Sequence, residues 1–551
     1  MICVSEFSAS ATGRRFGCPG CGGGLRYDIA SGKMICDHCG EKTELSAVPD
    51  LPVERDQMEV TEFHCPQCGA VVYSTDTAAT GFCSFCGSDV ILTGRLGRAR
   101  RPALILPFAV TREDCEARYR EHLKHYLLMP GELKSTETIS HFRPVYVPFW
   151  SYHVRSSGLA ELKGTKSYTR GDYRYTEEYD LSMNAEIDQR GILYDASTAF
   201  EDETAAMLQH TASGAVPFHG AYLSGFYAQT SDVPAETYED EAAATAVRLF
   251  MDRVKEQFVM DSVEMVGDVD HAFGLPDARY EAELIMLPVW LLAHRQGERV
   301  IYTAVNGRDG KVVCDVPVSN WKVAAVIGGV AVGFFALLQA LMTLKPNLLL
   351  VLCGLILALT QTLFGSAMTA LKNRQTRAFE PDFSGGRPSF VGPAQAMLKR
   401  SGNAIAAGRS ALGKGAELVR RVAVGVGFAA VVIVVSAGRG LFQMLGSMTS
   451  LFSENGQILL SGAMLIMLVI MGVQVFRKAR KGEKKLLPRI LSCLLSAAGL
   501  FLLLVDLPED TFYYGCAAAM LLCAVWSLVT ITRAHNEYAS RPVPFFEGEK
   551  A

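Results

Sequence analysis

The sequence predicts a multi-domain chain: two small β modules, an α+β soluble domain and an all-α six-helix transmembrane region. Three observations predict it. Eight cysteines in the first 86 residues form two identically spaced sets, the middle of the chain mixes helix and strand patterns, and nearly all long apolar runs lie beyond residue 321. At 551 residues the chain outgrows a single hydrophobic core, and length suggests about three or four domains.

Cys18, Cys21, Cys36 and Cys39 read C-x2-C-x14-C-x2-C, and Cys65, Cys68, Cys83 and Cys86 repeat that spacing 47 residues later. Each set offers four soft thiolates in two pairs, the ligand type and count of a closed tetrahedral zinc site. Gly22, Gly40, Gly69 and Gly87 follow the second cysteine of each pair, and Pro19 and Pro66 sit inside two of them. Such residues suit the tight turn that brings two sulfurs to one metal. Disulfides, scattered buried thiols and a rubredoxin-like iron site are the alternatives, and duplicated pair spacing favours two zinc ribbons, over 15–45 and 62–93. A module this small cannot fold on apolar burial alone. A structural zinc contributes about 10–16 kcal/mol of apparent binding energy, which becomes folding energy. Four protein ligands leave no open position for a catalytic water, so the two expected Zn²⁺ are structural.

Charge divides the chain at the same place as hydropathy. Residues 1–321 hold 30 Lys+Arg and 46 Asp+Glu, whereas 322–551 hold 23 and 11. The opening MICVSEFSASATGRRFGC has no apolar core of signal-peptide length, so a cytoplasmic amino terminus is expected. Zinc thiolates favour the same reducing compartment. Cys3, Cys115, Cys314, Cys353, Cys493, Cys516 and Cys523 show no pair spacing and read as structural.

Six segments lack charge: 323–342, 348–371, 422–438, 457–476, 490–505 and 511–532. A bilayer core needs roughly 17–25 helical residues, so the third and fifth, at 17 and 16 residues, are the weakest, each lengthened by a flanking side chain that snorkels. They divide this half into helices 1–2 over 322–371, a basic cytosolic loop over 372–421, helices 3–6 over 422–532 and a cytosolic tail over 533–551. The connection 372–421 carries ten Lys/Arg against three acids, and 477–489 carries seven against one. With positive loops inside, both termini face the cytoplasm of a multi-pass plasma-membrane protein. No Asp, Glu, Lys, Arg or His lies within the spans, which argues against proton-coupled transport. Gln339, Gln361 and Gln474 are expected to bridge helices. Leu398, Ile405, Leu412 and Val419 recur every seven residues among Lys and Arg, the pattern of a basic amphipathic helix on an anionic leaflet.

Between ribbons and membrane, 101–321 reads as α+β with antiparallel sheet. Thr111 followed by Glu113 and Asp114 caps a helix over 112–127. A second helix over 238–258 opens with Glu239, Asp240 and Glu241, where the helix dipole favours acids. Each precedes a strand-rich stretch with Pro and Trp, VYVPFWSYHV at 145–154 and MLPVWLLAH at 286–294. The second continues through a hairpin turn at Asn306–Gly310, so a helix-then-hairpin unit occurs twice. Catalytic groups do not assemble: His141, His153, His210, His219, His271 and His294 are dispersed without ligand spacing. Gly408, Gly413, Lys414 and Gly415 approach a phosphate-binding loop but lack its Ser/Thr and a preceding soluble strand. A non-enzymatic chain is expected.

The order of motifs, from paired ribbons through ILPFAVTRED, YVPFWSYHV, VPFHGAYLSGFYAQ, LPVWLLAH and AVNGRDGKVVCDVPV, resembles a family of bacterial zinc-ribbon membrane proteins. Members are often labelled after the ribbon of general transcription factor IIB, and sometimes after the primosomal replication-restart helicase. The resemblance covers roughly 15–345 and implies two cytosolic zinc ribbons, a soluble domain and a membrane anchor. It implies architecture rather than an activity, and without a nucleotide-binding loop the helicase label does not carry over.

The leading expectation is a membrane-anchored zinc-ribbon scaffold or interaction module that faces the cytosol and engages a protein partner. Nucleic-acid binding is the second reading. Residues 1–100 hold nine Lys/Arg against twelve acids, whereas phosphate contact needs a basic face, and only Arg95, Arg98, Arg100 and Arg101 cluster. A transporter or membrane enzyme is the third, and it requires a polar cavity among the spans.

Overall fold

The computed structural model describes residues 16–75 (except 52 and 55), 80–198 (except 92, 171 and 172), 204, 208, 212–267, 272–329, 346–378, most of 461–476, 487–505 and 508–543. Strands β1 (Leu25–Asp28), β2 (Lys33–Cys36) and β3 (Lys42–Thr43) form a small antiparallel sheet. β4 (Gln57–His64), β5 (Val71–Ser74) and β6 (Thr93–Arg100) flank the second cysteine set, followed by β7 (Leu104–Ile105) and helix α1 (Arg112–Leu123). Next come a long hairpin of β8 (Arg143–Arg170) and β9 (Tyr173–Asp195), then β10 (Tyr227–Gln229) and α2 (Glu239–Gln257). β11 (Ser262–Met265), β12 (Arg279–Gln296), β13 (Arg299–Asn306) and β14 (Val312–Cys314) complete the soluble part. Helices α3 (Pro346–Ala378), α4 (Leu487–Val505) and α5 (Asp510–Tyr538) and a short β15 (Arg541–Pro542) follow.

Local chemistry explains the two soluble helices. Thr111 accepts a hydrogen bond from the Asp114 N–H at 3.3 Å, with Glu113 and Asp114 in the first turn of α1. α2 buries Ala242, Ala243, Ala246, Val247 and Val254 against Trp150, Tyr152 and Ile187. Residues 145–150 are buried on both faces, as their unbroken apolar run requires, and farther out the hairpin alternates as a half-exposed ribbon should.

The sheet at the centre is a duplicated unit. β8 and β12 pair antiparallel about Val147 and Leu287. One residue beyond that pair each strand carries a proline (Pro148, Pro288), and three beyond it a tryptophan (Trp150, Trp290). β10 lies parallel beside β8 (Val145 opposite Tyr227), and β7 lies parallel beside β12 (Leu104 opposite Ile285). Each proline falls where the outer neighbour changes, from β10 to β9 and from β7 to β13, so its missing N–H breaks no ladder. The indole N–H of Trp150 donates to the Val233 carbonyl (2.9 Å), and that of Trp290 donates to the Val110 carbonyl (3.0 Å). Both valines lie shortly before a helix. The Ala196 N–H donates to Pro148 O as Gly307 N–H donates to Pro288 O. Each unit thus lends its leading strand to the other.

Two expectations need correction. The sheet is mixed rather than antiparallel, because β7 and β10 enter parallel to their neighbours. A six-helix all-α transmembrane region is not supported by the described residues. Among the described residues two helices are long and apolar enough to cross a membrane, Leu349–Met368 and Asp510–Tyr538. The apolar run at 490–505 belongs to a shorter apolar stretch, Arg489–Val505, about 25 Å long at 1.5 Å per residue and short of a bilayer core of about 30 Å. The run at 457–476 appears as the short apolar helix Met464–Val473. The segment 323–342 is described only as far as 329, and 422–438, the amphipathic pattern at 398–419 and the glycine-rich loop at 408–415 lie outside the described residues.

α3 and α5 run parallel and α4 antiparallel to both. Gln361 Nε2 donates to Ser527 Oγ (2.8 Å), while Tyr513 donates to Leu502 O (2.9 Å) and Ser492 Oγ lies 3.3 Å from Cys523 Sγ. Arg489, counted from the sequence in a loop, lies in the first turn of α4, 3% exposed, with its guanidinium carbon 5.1 Å from the centroid of the Phe364 ring. α5 is tied to the soluble part at its carboxyl end. Asn536 exchanges two hydrogen bonds with the Val318 backbone (2.7 and 2.8 Å), and β15 pairs with β13.

Candidate metal centres

Each centre is made of two knuckles of one design. The N–H of the glycine after the second cysteine donates to the carbonyl of the first: Gly22 to Cys18 (2.8 Å), Gly40 to Cys36 (3.0 Å), Gly69 to Cys65 (2.9 Å) and Gly87 to Cys83 (3.0 Å). All four glycines are left-handed, with φ between 69 and 75°. A side chain there would strain the backbone. The first cysteine N–H then donates to the residue after the glycine or its equivalent, as in Cys18 to Gly23 O and Cys65 to Ala70 O. Each loop therefore turns both sulfurs to one side.

The eight thiols gather into two sets of four, with the ligand atoms of each set within 4.8 Å of one another. In the first, Cys18–Cys39 is 3.8 Å and Cys21 lies 3.4 Å from both Cys36 and Cys39. In the second, Cys65–Cys86 and Cys68–Cys83 are both 3.8 Å. A disulfide needs about 2.05 Å, so these are not disulfides. A tetrahedron with metal–sulfur bonds of about 2.3 Å has edges of about 3.8 Å, so either set could hold a metal ion. Among the described residues no other group of three or more ligand side chains is close enough to do so.

Crowding makes the thiols titrate unequally. The Cys39 N–H chiefly draws Cys36 down to about 6, against burial. The Gly23 N–H lowers Cys21, but the Cys39 and Cys36 sulfurs outweigh it and push the thiol up to about 12. In the second set Cys86 is driven down by hydrogen bonds from Cys68 and Cys83, and Cys83 is driven up by Cys68 and Cys86. Four sulfurs this close cannot all ionise unless a cation sits among them.

The two centres differ in how they are held. Cys21 and Cys39 of the first are exposed, and its sheet rests on the soluble core through Tyr27, whose ring meets Tyr222 edge-on at 5.0 Å. All four cysteines of the second are buried, walled by Phe63, Val72 and Phe85 with Tyr227 and Val543 alongside. Its strands belong to the large sheet: β5 pairs with β10, and β4 with β6. The Tyr302 hydroxyl donates to the Phe85 carbonyl, and Arg295 Nη1 donates to Ser88 Oγ (3.1 Å). Tyr227, Arg295, Tyr302 and Val543 carry no sequence signal, because they reach the knuckles from β10, β12, β13 and the carboxyl end.

Burial should set the order of metal loss. With a chelator and a colorimetric indicator, release is expected in two phases, the exposed first centre faster by about tenfold or more, equivalent to about 1.4 kcal/mol in barrier. A single phase would contradict this. Gly87→Ala and Gly40→Ala should differ likewise. Both add left-handed strain of about 1–2 kcal/mol. At Gly40 the new Cβ meets open space, whereas at Gly87 it would lie 2.8 Å from Ala293 O and 3.1 Å from Arg295 N. Gly87→Ala should therefore lower the thermal midpoint distinctly more, as read by circular dichroism.

The remaining candidates do not converge. His153 lies between Asp188 (2.5 Å) and Glu281 (3.4 Å), His219 accepts from the Ala221 N–H (3.2 Å) and His294 sits 3.7 Å from Glu132. His210 and His271 lie outside the described residues. The arginine cluster faces acids or rings: Arg98 is opposite Glu59, Arg95 opposite Glu62, Arg101 pairs with Asp50 at 2.5 Å and Arg100 covers Trp150 at 5.0 Å. Of the unpaired-spacing cysteines, Cys115, Cys314, Cys353 and Cys523 are buried, and burial chiefly pushes Cys314 up to about 12.

Fold and site together define a protein with two four-cysteine centres, a duplicated mixed sheet and apolar helices docked to it. The chain is similar to the uncharacterized protein YdjG of Bacillus subtilis (strain 168), 27% identical over 330 residues, which is 58% of this chain and 95% of that protein. No protein-family model and no solved structure matches the chain.

Proposed function

We propose that this is a membrane-anchored zinc protein, a non-enzymatic scaffold whose soluble part engages a protein partner on the cytoplasmic face. The observation that carries it is the pair of all-cysteine tetrahedra: with four protein ligands each, a bound Zn²⁺ has no open position for water, so it staples rather than catalyses. Zinc fits better than copper or a harder ion because four thiolates in a tetrahedral array suit it, and its role here is to fix two knuckles against each other.

Membrane attachment is supported by what covers the apolar helices. Within its most apolar window α5 is only 28% buried, and Leu521, Leu522, Val525 and Trp526 point outward. The core helix of a soluble protein would be covered. The carboxyl ends of α3 and α5 and the amino end of α4 lie at the end where α5 meets the soluble part. The basic stretches 372–421 and 477–489 adjoin those ends, which supports a cytoplasmic plasma-membrane face for the soluble part and both termini. The Gln361 amide N–H bridges α3 to Ser527 of α5, the helix-bridging use of an intramembrane glutamine, which supports an anchor over a transport path. The arginines that suggested nucleic acid face acids across β4–β6 or a tryptophan ring.

The test is retention of the full chain in the membrane fraction after alkaline carbonate, combined with affinity capture of wild type and a Cys65→Ser, Cys68→Ser variant. Retention with partners lost from the variant supports the scaffold. Release by carbonate, or identical partner sets, contradicts it.

A further inference from the structure

Two of the most exposed large apolar side chains of the soluble part, Leu127 (78%) and Trp321 (76%), stand at the same end of the molecule. Backbone and lysine contacts place them together: the Ser319 N–H donates to Leu128 O (2.7 Å), and Lys322 Nζ donates to Met129 O (2.8 Å). The segment leading into this helix, at Val318, is clasped by Asn536 near the close of α5, and His535 Nε2 lies 3.2 Å from Val316 O. Three segments thus meet at one level: the loop 124–130 after α1, the start of the helix at 320–329, and the end of α5. Lys322 bridges to the loop at Met129, and Lys124 at the start of that loop pairs with Glu121.

We propose that this loop and Trp321 form an interfacial foot, with Leu127 and Trp321 sunk into the headgroup layer of the leaflet from which α5 emerges. The inference rests on the membrane reading above and adds a second, soluble-domain contact with lipid. A tryptophan beside basic side chains at a helix entry suits the headgroup region of an anionic leaflet. An apolar loop tip in water at that place would be a cost without return. Because loop and α5 are joined through Val318, the foot fixes the soluble sheet relative to the bilayer instead of leaving it on a swivel. The hairpin of β8 and β9 runs the opposite way: Arg143 lies beside Leu291, toward the α5 end of the sheet, and the strand proceeds from there past Arg279.

The full chain carrying an environment-sensitive fluorescent amino acid at 127, at 522 on α5, or at 159 on the hairpin should be reconstituted into phosphatidylcholine–phosphatidylglycerol vesicles. Lipids with a nitroxide on the headgroup or deep in the chain then act as quenchers. The expected result is loss of signal at 127 mainly with headgroup nitroxide, at 522 mainly with chain nitroxide, and at 159 with neither. If 522 is quenched and 127 behaves like 159, the foot is refuted while the membrane reading stands. If 522 is not quenched, the membrane reading fails and the foot with it.

Discussion

Replacing Cys65 and Cys68 by serine should remove one of two metals and open a large part of the sheet, not a peripheral finger. The lost zinc term, about 10–16 kcal/mol, is comparable with the whole stability of a domain, about 5–15 kcal/mol. The consequence should spread because the second centre is a wall of the core. Its knuckles lie between β4 and β6 on one side and β12 and β13 on the other, and Val543 packs against it. Hydrogen exchange should rise over 57–75 and 93–100, then along β13 and at the β15 contact that holds the end of α5. The matching Cys18→Ser, Cys21→Ser variant should lose its metal yet leave β8, β12 and β13 protected, since β1–β3 form a separate sheet. Equal spread from both variants would refute the asymmetry.

The duplicated unit makes a second strong prediction. Trp150→Ala and Trp290→Ala should each cost about 3–5 kcal/mol, the range for deleting a large buried aromatic. Part of that is the carbonyl each indole satisfies, Val233 O for Trp150 and Val110 O for Trp290. Phenylalanine at either place keeps the ring contacts and leaves the carbonyl unpaired, for about 1–3 kcal/mol. The informative outcome is the match between the two sites, since each tryptophan sits three residues beyond the pseudo-twofold pair of Val147 and Leu287. Denaturant midpoints followed by circular dichroism should fall in parallel. A large cost at one site and almost none at the other would show that the likeness is superficial.

Much of this was legible from residues near one another in the chain. Ligand pairs announce themselves by short spacing, because a knuckle is a local turn. Thr111 with its acids, and Glu239–Glu241, mark helix starts for the same reason, and the observed helices begin where those residues stand. The repeated Pro and Trp pointed to a helix-then-hairpin unit twice over. What was not legible depends on pairing across long separations. β7 and β10 are two and three residues long, too short to show a period, and they are what makes the sheet mixed. The outer side of the second centre is closed by residues more than 130 positions away, Tyr227 and Val543. The six-span reading failed because absence of charge is not enough, whereas crossing needs sufficient apolar helical length, of which the stretch Arg489–Val505 falls short. Arg489 shows the converse, a charge assigned to a loop that the fold buries within α4 beside Phe364.

The central claim is that two all-sulfur tetrahedra hold zinc. X-ray absorption at the zinc edge on the purified full chain, with metal content measured on the same sample, tests it most directly. The account predicts two zinc ions per chain and a single shell of four sulfurs at about 2.3 Å. A shell containing nitrogen or oxygen, or fewer than two metals per chain, would contradict it.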